Sequence, residues 1–393
     1  MSEMALSSSK PKLVHVLLGD VYRDSRVLNE VTYLSQYYDI VIFCLSPKQA
    51  DTSDLPHCEV INPLTSGRSV TLFSYLIFFI KSALLSLRIK PSIVHGHDAI
   101  SLPIIYFIKI VTGAKMIYDS HELWSQAHHK KRHKFIMSSA FWLERFIASK
   151  ADHIITVSNS IAAYLSSYFG NSQISVIRNI PNPKKTKANP ALTPQDIRRK
   201  LGVTCDTIIV LYQGMIRRER GVFVLADAIA DLVKRNDAPL KLLYLGGGGD
   251  LDELKNYISE CELEQYVLFH DAVSQDVLGH YSRATDIGVH AISNSCLNHD
   301  YCLPNKLFEY LYSGLPVVVT NLTEMKNFVE AGNFGLTFED GNVGDLSLKI
   351  EWLLNKDRRA EVVSAIEAQQ ERFSYEAECV RLGTIYEGLL RQA

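Results

Sequence analysis

The stretch Leu303-Pro304-Asn305-Lys306-Leu307-Phe308-Glu309-Tyr310-Leu311 offers the most chemistry in this chain. Proline is preorganised for a first helical turn and glycine for a helix stop. The order therefore predicts a helix opening at Pro304, a stop at Gly314 and a buried strand over 317–319. A helix that begins in a loop aims unpaired backbone N–H groups and the positive end of its dipole outward, and such an end binds phosphate. Glu309, a little over one turn further on, is spaced to accept hydrogen bonds from a ribose diol. Diphosphate at the helix start with ribose at the carboxylate would make a nucleotide-sugar grip. The bland reading is a proline-initiated helix with a solvated glutamate.

Other loops supply matching parts. In Gln213-Gly214-Met215-Ile216-Arg217-Arg218-Glu219-Arg220-Gly221 a glycine ends a strand and three arginines precede a helix; guanidinium groups match phosphate oxygens, although a solvated basic turn would look the same. Gly246, Gly247, Gly248 and Gly249 allow positive φ and close backbone approach to a ligand, or form a flexible turn. They lack the spacing and acidic partner of a dinucleotide fingerprint. Gly19 closes the first strand and would admit a donor. Arg23, Asp24 and Arg26 are candidates for acceptor or phosphate contacts, or for a salt-bridged helix start. His121, in Tyr118-Asp119-Ser120-His121-Glu122, is expected as a neutral imidazole donating to a sugar hydroxyl. His95-Gly96-His97-Asp98 repeats the pattern at a neighbouring strand end. Its two histidines resemble a metal pair, but no further ligand of suitable spacing is evident, so no metal is expected.

These loops need strand ends to carry them. Apolar runs over 14–18, 40–43, 93–95, 115–118, 153–157 and 175–177 alternate with helical patterns, then a proline-rich break over 181–190 intervenes. The alternation resumes with strands over 208–212, 240–245, 267–270, 287–290, 317–319 and 336–338. The expected fold is α/β: two facing Rossmann-like, doubly wound domains, over 1–183 and 184–373, with ligands in a central cleft at the strands' carboxyl ends.

Bulk properties agree. The chain has 393 residues, 47% hydrophobic and 21% charged, and a net charge of −2, so no global field recruits nucleic acid. Seven cysteines without CxxC spacing fit reduced thiols in the cytoplasm. The run over 70–89 is of membrane-span length, but Lys81 and Arg88 favour a buried or membrane-surface helix. Lys130, Lys131, Arg132 and Lys134, beside an apolar helix, suit an anionic membrane surface, against a solvated loop as the alternative. They make a peripheral position on the inner face of the membrane the further expectation.

The chain resembles, over nearly its whole length, a retaining GT-B glycosyltransferase of the family-4 type (glycosyl transferases group 1). The resemblance rests on the order and spacing of the motifs above, with Ile155-Thr156-Val157-Ser158 and Ala284-Thr285-Asp286-Ile287-Gly288. It implies that Glu309 binds the donor ribose, that Asn305, Lys306 and Leu307 lie near the diphosphate, and that Arg220 holds the phosphates. It further implies that Gly19, Gly246 and Gly247 border the donor, that the region 269–273, ending at Val273, meets the base, and that His121 contacts the donor sugar near the reacting centre. His97, Asp98 and Arg26 are the acceptor-side candidates. Phe373-Ser374-Tyr375-Glu376 resembles the start of a final helix, 374–393, that crosses back to the first domain.

The implied reaction moves a sugar from a UDP-sugar to an acceptor hydroxyl with retention and without a metal, the acceptor being a lipid-linked or cell-surface polysaccharide intermediate. Two departures stand out: the family's second glutamate is replaced by Tyr301, beside Asp300, and its frequent phosphate-loop arginine by Met215, for which Arg217 or Arg218 would compensate. The rival readings are a UDP-sugar 2-epimerase of the same fold and a catalytically silent sugar-nucleotide-binding protein.

Overall fold

The computed structural model describes residues 10–45, 55, 58–64, 71–127, 134–182, 192–236 and 238–392. The chain divides into two compact units, one of Met1–Arg178 with Glu376–Ala393 and the other of Asn179–Tyr375.

The first unit holds β1 (Lys12–Val16), α1 (Ser25–Leu34), β2 (Asp39–Phe43), β3 (Cys58–Ile61), α2 (Leu72–Ile89), β4 (Ile93–His97), α3 (Leu102–Thr112), β5 (Lys115–Ser120), α4 (Trp124–Ala127), α5 (Lys134–Ala148), β6 (His153–Thr156), α6 (Asn159–Phe169) and β7 (Ile174–Val176). Its strands run parallel in the order β3-β2-β1-β4-β5-β6-β7. Strands covered on both faces read as near-continuous apolar runs, and β1, β2, β4 and β5 are buried along almost their whole length, with His15, His95, His97 and Asp119 as buried polar exceptions. Right-handed crossovers put α1 on one face of the sheet and α2, α3 and α5 on the other.

The second unit holds α7 (Pro194–Lys200), β8 (Ile208–Gln213), α8 (Val222–Arg235), β9 (Leu240–Leu245), α9 (Leu251–Glu260), β10 (Val267–His270), α10 (Gln275–Arg283), β11 (Ile287–His290), α11 (Leu297–Asp300), α12 (Asn305–Tyr312), β12 (Val317–Thr320), α13 (Thr323–Gly332), β13 (Gly335–Phe338), α14 (Val343–Leu354) and α15 (Lys356–Ala368). Its strand order is β10-β9-β8-β11-β12-β13, again parallel.

The last helix, α16 (Tyr375–Arg391), returns to the first unit. Leu382, Tyr386 and Leu389 join the core formed by Val27, Val31 and Leu34 of α1 with Ile40 and Ile42 of β2. Glu378 fixes its start by accepting from Arg178 Nη2 at 2.6 Å and from the Arg178 backbone N–H at 3.1 Å. The unit boundary thus falls at 178/179 and 375/376, a few residues from 183/184 and 373/374. The edge strand β3 is the strand the sequence pattern did not show: Cys58-Glu59-Val60-Ile61 is too short and mixed to announce itself.

Candidate functional site

In an open parallel sheet the ligand crevice lies where the strand order reverses. In the second unit that point is between β8 and β11, and α12 starts beside it. Tyr310 locks α12 there. Its ring lies against Gly288, where a Cβ would be 2.6 Å from the ring carbons. Its hydroxyl accepts from Gln213 N–H at 3.0 Å. Pro304 is the N-cap and provides no side-chain cap; Leu307 N–H donates to Pro304 O at 3.0 Å, which leaves the N–H groups of Asn305 and Lys306 at the helix start. Glu309 Oε2 accepts from Gln213 Nε2 at 2.5 Å, and Gln213 Oε1 accepts from Ser282 Oγ at 3.1 Å. Burial pushes the Glu309 carboxyl up, against the pull of Lys306 and Gln213.

Near this carboxylate stand three basic side chains, Lys306, Arg220 and His290. Lys306 Nζ lies 4.7 Å from the Tyr212 ring centroid. Burial and the nearby Arg220 lower its pKa to about 7, despite Glu309. His290, at the end of β11, is fully buried with neither ring nitrogen hydrogen-bonded among the described residues. Burial, then Lys306 and Arg220, hold it well below the usual imidazole range. Neither Lys306 nor Arg220 forms an ion pair with a described carboxylate. A helix start and basic side chains placed together in this way suit an anion. Sequence reasoning missed Gln213 as the partner of Glu309, and also His290; the position of each at the end of a predicted strand was the available signal.

The glycines divide by what they meet. Gly214 has φ +116, and a Cβ there would lie 3.1 Å from Lys306 Nζ. Gly246 (φ +148) and Gly248 are required by neighbouring loops, since a Cβ would collide with the carbonyl oxygens of Gly214 and Ile216 respectively. Gly247 has open space around it, and Gly19 has room for a Cβ 3.6 Å from Leu17. Gly221, with φ +73, abuts the Ala291 carbonyl, which a Cβ would overlap. Gly221→Ala is expected to destabilise the second unit by about 1–3 kcal/mol, read as a lower melting temperature.

Other expected donor contacts are placed differently. Arg218 Nη2 is paired with Glu253 Oε1 at 2.5 Å, and its guanidinium lies 4.1 Å from the Phe223 centroid. Arg217 is exposed, its Nε 3.1 Å from Met215 Sδ. Leu307 is fully buried, so only its backbone could face a ligand, while Asn305 and Val273 are half-buried. Asp300 is committed to the start of α13, accepting from Thr323 N–H and Oγ1–H at 3.0 Å each. It does not stand in for the glutamate replaced by Tyr301.

The first unit carries a buried polar network at its own strand ends. Arg26 makes a two-point ion pair with Asp119, Nε to Oδ2 and Nη2 to Oδ1 at 2.8 Å each, and donates through Nη1 to Ile177 O at 2.7 Å. With 3% of its surface exposed it is a structural cation; the expected acceptor contact by Arg26 is not available. Asp119 Oδ2 also accepts from His121 Nε2 at 3.0 Å. Burial opposes charge on His121, but Asp119 and then Asp98 outweigh it and raise its pKa to about 9. His121 is therefore an imidazolium at neutral pH, not the expected neutral ring. Asp98 (φ +60) is part-exposed, 3.7 Å from His121 Nδ1, whereas His97 is fully buried.

The fold also brings His15, His95 and His97 together, with ligating atoms within 4.8 Å of one another, a juxtaposition that spacing did not reveal. His15 Nδ1 and His97 Nε2 hydrogen-bond at 3.1 Å, while Tyr386 Oη meets His95 Nδ1 at 2.5 Å and His15 Nε2 at 3.3 Å. Most ring nitrogens are thus engaged, and the Arg26 guanidinium sits against Asp119, so the donor set as arranged does not fit a cation. Residues 128–133, with Lys130, Lys131 and Arg132, lie outside the described residues; Lys134 begins α5, and its side chain is likewise outside them.

Two parallel, doubly wound units, one with an anion-seeking helix start at its switch point, define a GT-B glycosyltransferase architecture. The chain belongs to the glycosyl transferases group 1 family: that family model matches residues 194–372, and the Glycosyltransferase Family 4 model matches 25–184. A glycosyltransferase from Rickettsia africae superposes with a TM-score of 0.79 at 17% identity, covering 98% of this chain and 100% of its own. Anabaena HepE in complex with UDP gives 0.77 at 16% identity, covering 96% and 100%. A D-inositol 3-phosphate glycosyltransferase of Corynebacterium aurimucosum is 28% identical over 195 residues, 48% of this chain; the match spans 45% of that relative's length.

Proposed function

We propose that the protein transfers a sugar from a UDP-sugar to an acceptor hydroxyl with retention of anomeric configuration. The observation that carries this reading is the placement of Lys306 and Arg220, neither ion-paired among the described residues, near the half-buried, Gln213-held carboxylate of Glu309 on α12. A diphosphate would satisfy the cations and helix N–H groups, and a ribose diol the carboxylate. The UDP complex of the similarly folded HepE supports the choice of base. Departure of UDP would be eased by the Arg220 guanidinium and by a Lys306 ammonium that the diphosphate itself stabilises, which makes a metal unnecessary to the scheme. The acceptor oxygen would attack from the side the leaving group vacates, with a phosphate oxygen taking its proton. We assign His121 to the donor sugar, as a charged donor. The acceptor is a lipid-linked or cell-surface polysaccharide intermediate, and the seven free cysteines fit a cytoplasmic placement.

The test uses the Lys306 ammonium. A lysine with a pKa near 7 is largely neutral at pH 8, and a diphosphate would draw a proton onto it. Calorimetry of UDP binding in buffers of different ionisation enthalpy is expected to show uptake of about one proton at pH 8 and little at pH 6. Binding with no proton uptake at either pH would remove Lys306 from the diphosphate site.

A further inference from the structure

The outer face of the α2–α3–α5 layer in the first unit is apolar and open. On α2, Phe73, Leu76, Ile80, Leu84 and Leu87 are exposed, Phe73 to 74%. At 100° per residue they fall within roughly 80° of arc, one stripe along the helix. Lys81 and Arg88 are exposed along one border of that stripe. The stripe continues sideways. Phe79 of α2 meets Phe107 of α3 with ring centroids 5.3 Å apart, and Tyr75 Oη donates to Ile100 O at 3.0 Å. Tyr106 of α3 meets Phe146 of α5 at 6.4 Å, and Phe146 stacks on Trp142 at 5.5 Å. Ile100, Phe107, Ile110, Trp142, Leu143 and Phe146 are all exposed as well. Buried core helices do not look like this, which corrects one of the two expectations for the run over 70–89.

Charge decides what covers the face. Neither α2 nor α3 contains an aspartate or glutamate. Glu144, the carboxylate of α5, is buried and accepts from Tyr118 Oη at 3.1 Å. Lys81, Arg88, Lys90, Arg145 and Lys150 are exposed without an ion pair among the described residues, whereas Lys109 is neutralised by Asp152 at 2.7 Å. An apolar plane edged by cations that lack an ion pair among the described residues, with no exposed carboxylate on α2, α3 or α5, matches lipid chains under anionic headgroups. A membrane span fits poorly, because Phe78, Ser82, Ala83 and Ser86 of α2 are buried against the unit itself.

We propose that the α2–α3–α5 face seats on an anionic lipid bilayer surface, with α2 lying in the interface. This deepens the lipid-linked acceptor reading and rests on it for its biological sense. Its test is separate: vesicle binding needs no sugar donor, and UDP release from a donor needs no vesicle. The full chain is floated with phosphatidylglycerol–phosphatidylcholine vesicles and with phosphatidylcholine alone. Binding is expected to fall at least about tenfold without the anionic lipid or in high salt. Phe73→Ser/Ile80→Ser/Leu84→Ser should lower it at least about tenfold on anionic vesicles with an unchanged melting temperature, since all three side chains are exposed. Lys81→Gln/Arg88→Gln should lower it several-fold per cation and reduce the preference for anionic lipid. Equal binding by wild type and the apolar triple variant overturns the proposal. So does a dimer of the chain that the triple variant dissociates while vesicles are ignored, which would make the face a protein interface. Bound protein that resists alkaline carbonate would instead make α2 a span.

Discussion

Lys306→Met is expected to abolish measurable UDP release, lowering kcat/KM by about 10²–10³-fold or more, while leaving the free protein as stable as before or more so. The first half follows from electrostatic preorganisation: one removed charge-stabilising donor typically forfeits about 10²–10³ in rate. The second half follows from the environment. Burial and Arg220 already disfavour the Lys306 ammonium, so in the absence of an anion its charge opposes folding; an apolar side chain of similar length relieves that. Linkage gives the sign. A lysine whose folded pKa lies below its unfolded value binds fewer protons when folded, so its contribution to stability rises with pH from about 7 to about 10. The variant should lose that rise. Denaturant titrations at pH 6 and pH 9, beside UDP release from candidate UDP-sugars, measure both halves. A variant that turns over normally would remove Lys306 from the chemistry; one that is severely destabilised would make it a structural residue.

Asp119→Asn should destabilise the first unit by about 3–5 kcal/mol, because it strands a buried guanidinium. Arg26 has 3% of its surface exposed, and Asp119 supplies two of its short contacts. Glu30, 3.2 Å from Arg26 Nε, offers only partial compensation. Burial pushes its carboxyl up to about 8, against Arg26. The double variant Arg26→Met/Asp119→Asn should recover much of the loss, since it removes both charges together. The same network sets a pH window. Burial opposes charge on Asp119, but Arg26 and His121 hold its carboxylate well below the usual range, so its contribution is present above about pH 4 and lost as pH falls through the folded pKa. His121 is raised to about 9; its contribution is full below about pH 6.5 and is lost as pH rises through 9. Asp119→Asn should therefore remove the alkaline loss as well as lower the plateau, a pattern that differential scanning calorimetry across pH 4–10 resolves.

Much of the architecture was legible in sequence because parallel strands buried on both faces are mostly apolar, and such runs stand out even without context. Gly314 (φ +75), α12 and β12 lie where proline, glycine and the valine run put them. What stayed hidden was partnership. Arg26 and Asp119 are 93 residues apart in the chain, and either reads alone as a surface charge at a strand or helix end. Only their meeting turns Arg26 from an acceptor candidate into a buried strut and His121 from a neutral ring into a cation.

The same division holds across the chain. Sequence by itself determined the order of elements and where α12 would open, because both depend on local spacing and backbone chemistry. Tertiary structure decided that Arg218 serves Glu253 and Asp300 serves α13, while Lys306 and Arg220 stand without an ion pair among the described residues. It also decided that α2 lies open rather than buried. Charge state and exposure are set by which distant groups the fold brings near, and no local pattern encodes that.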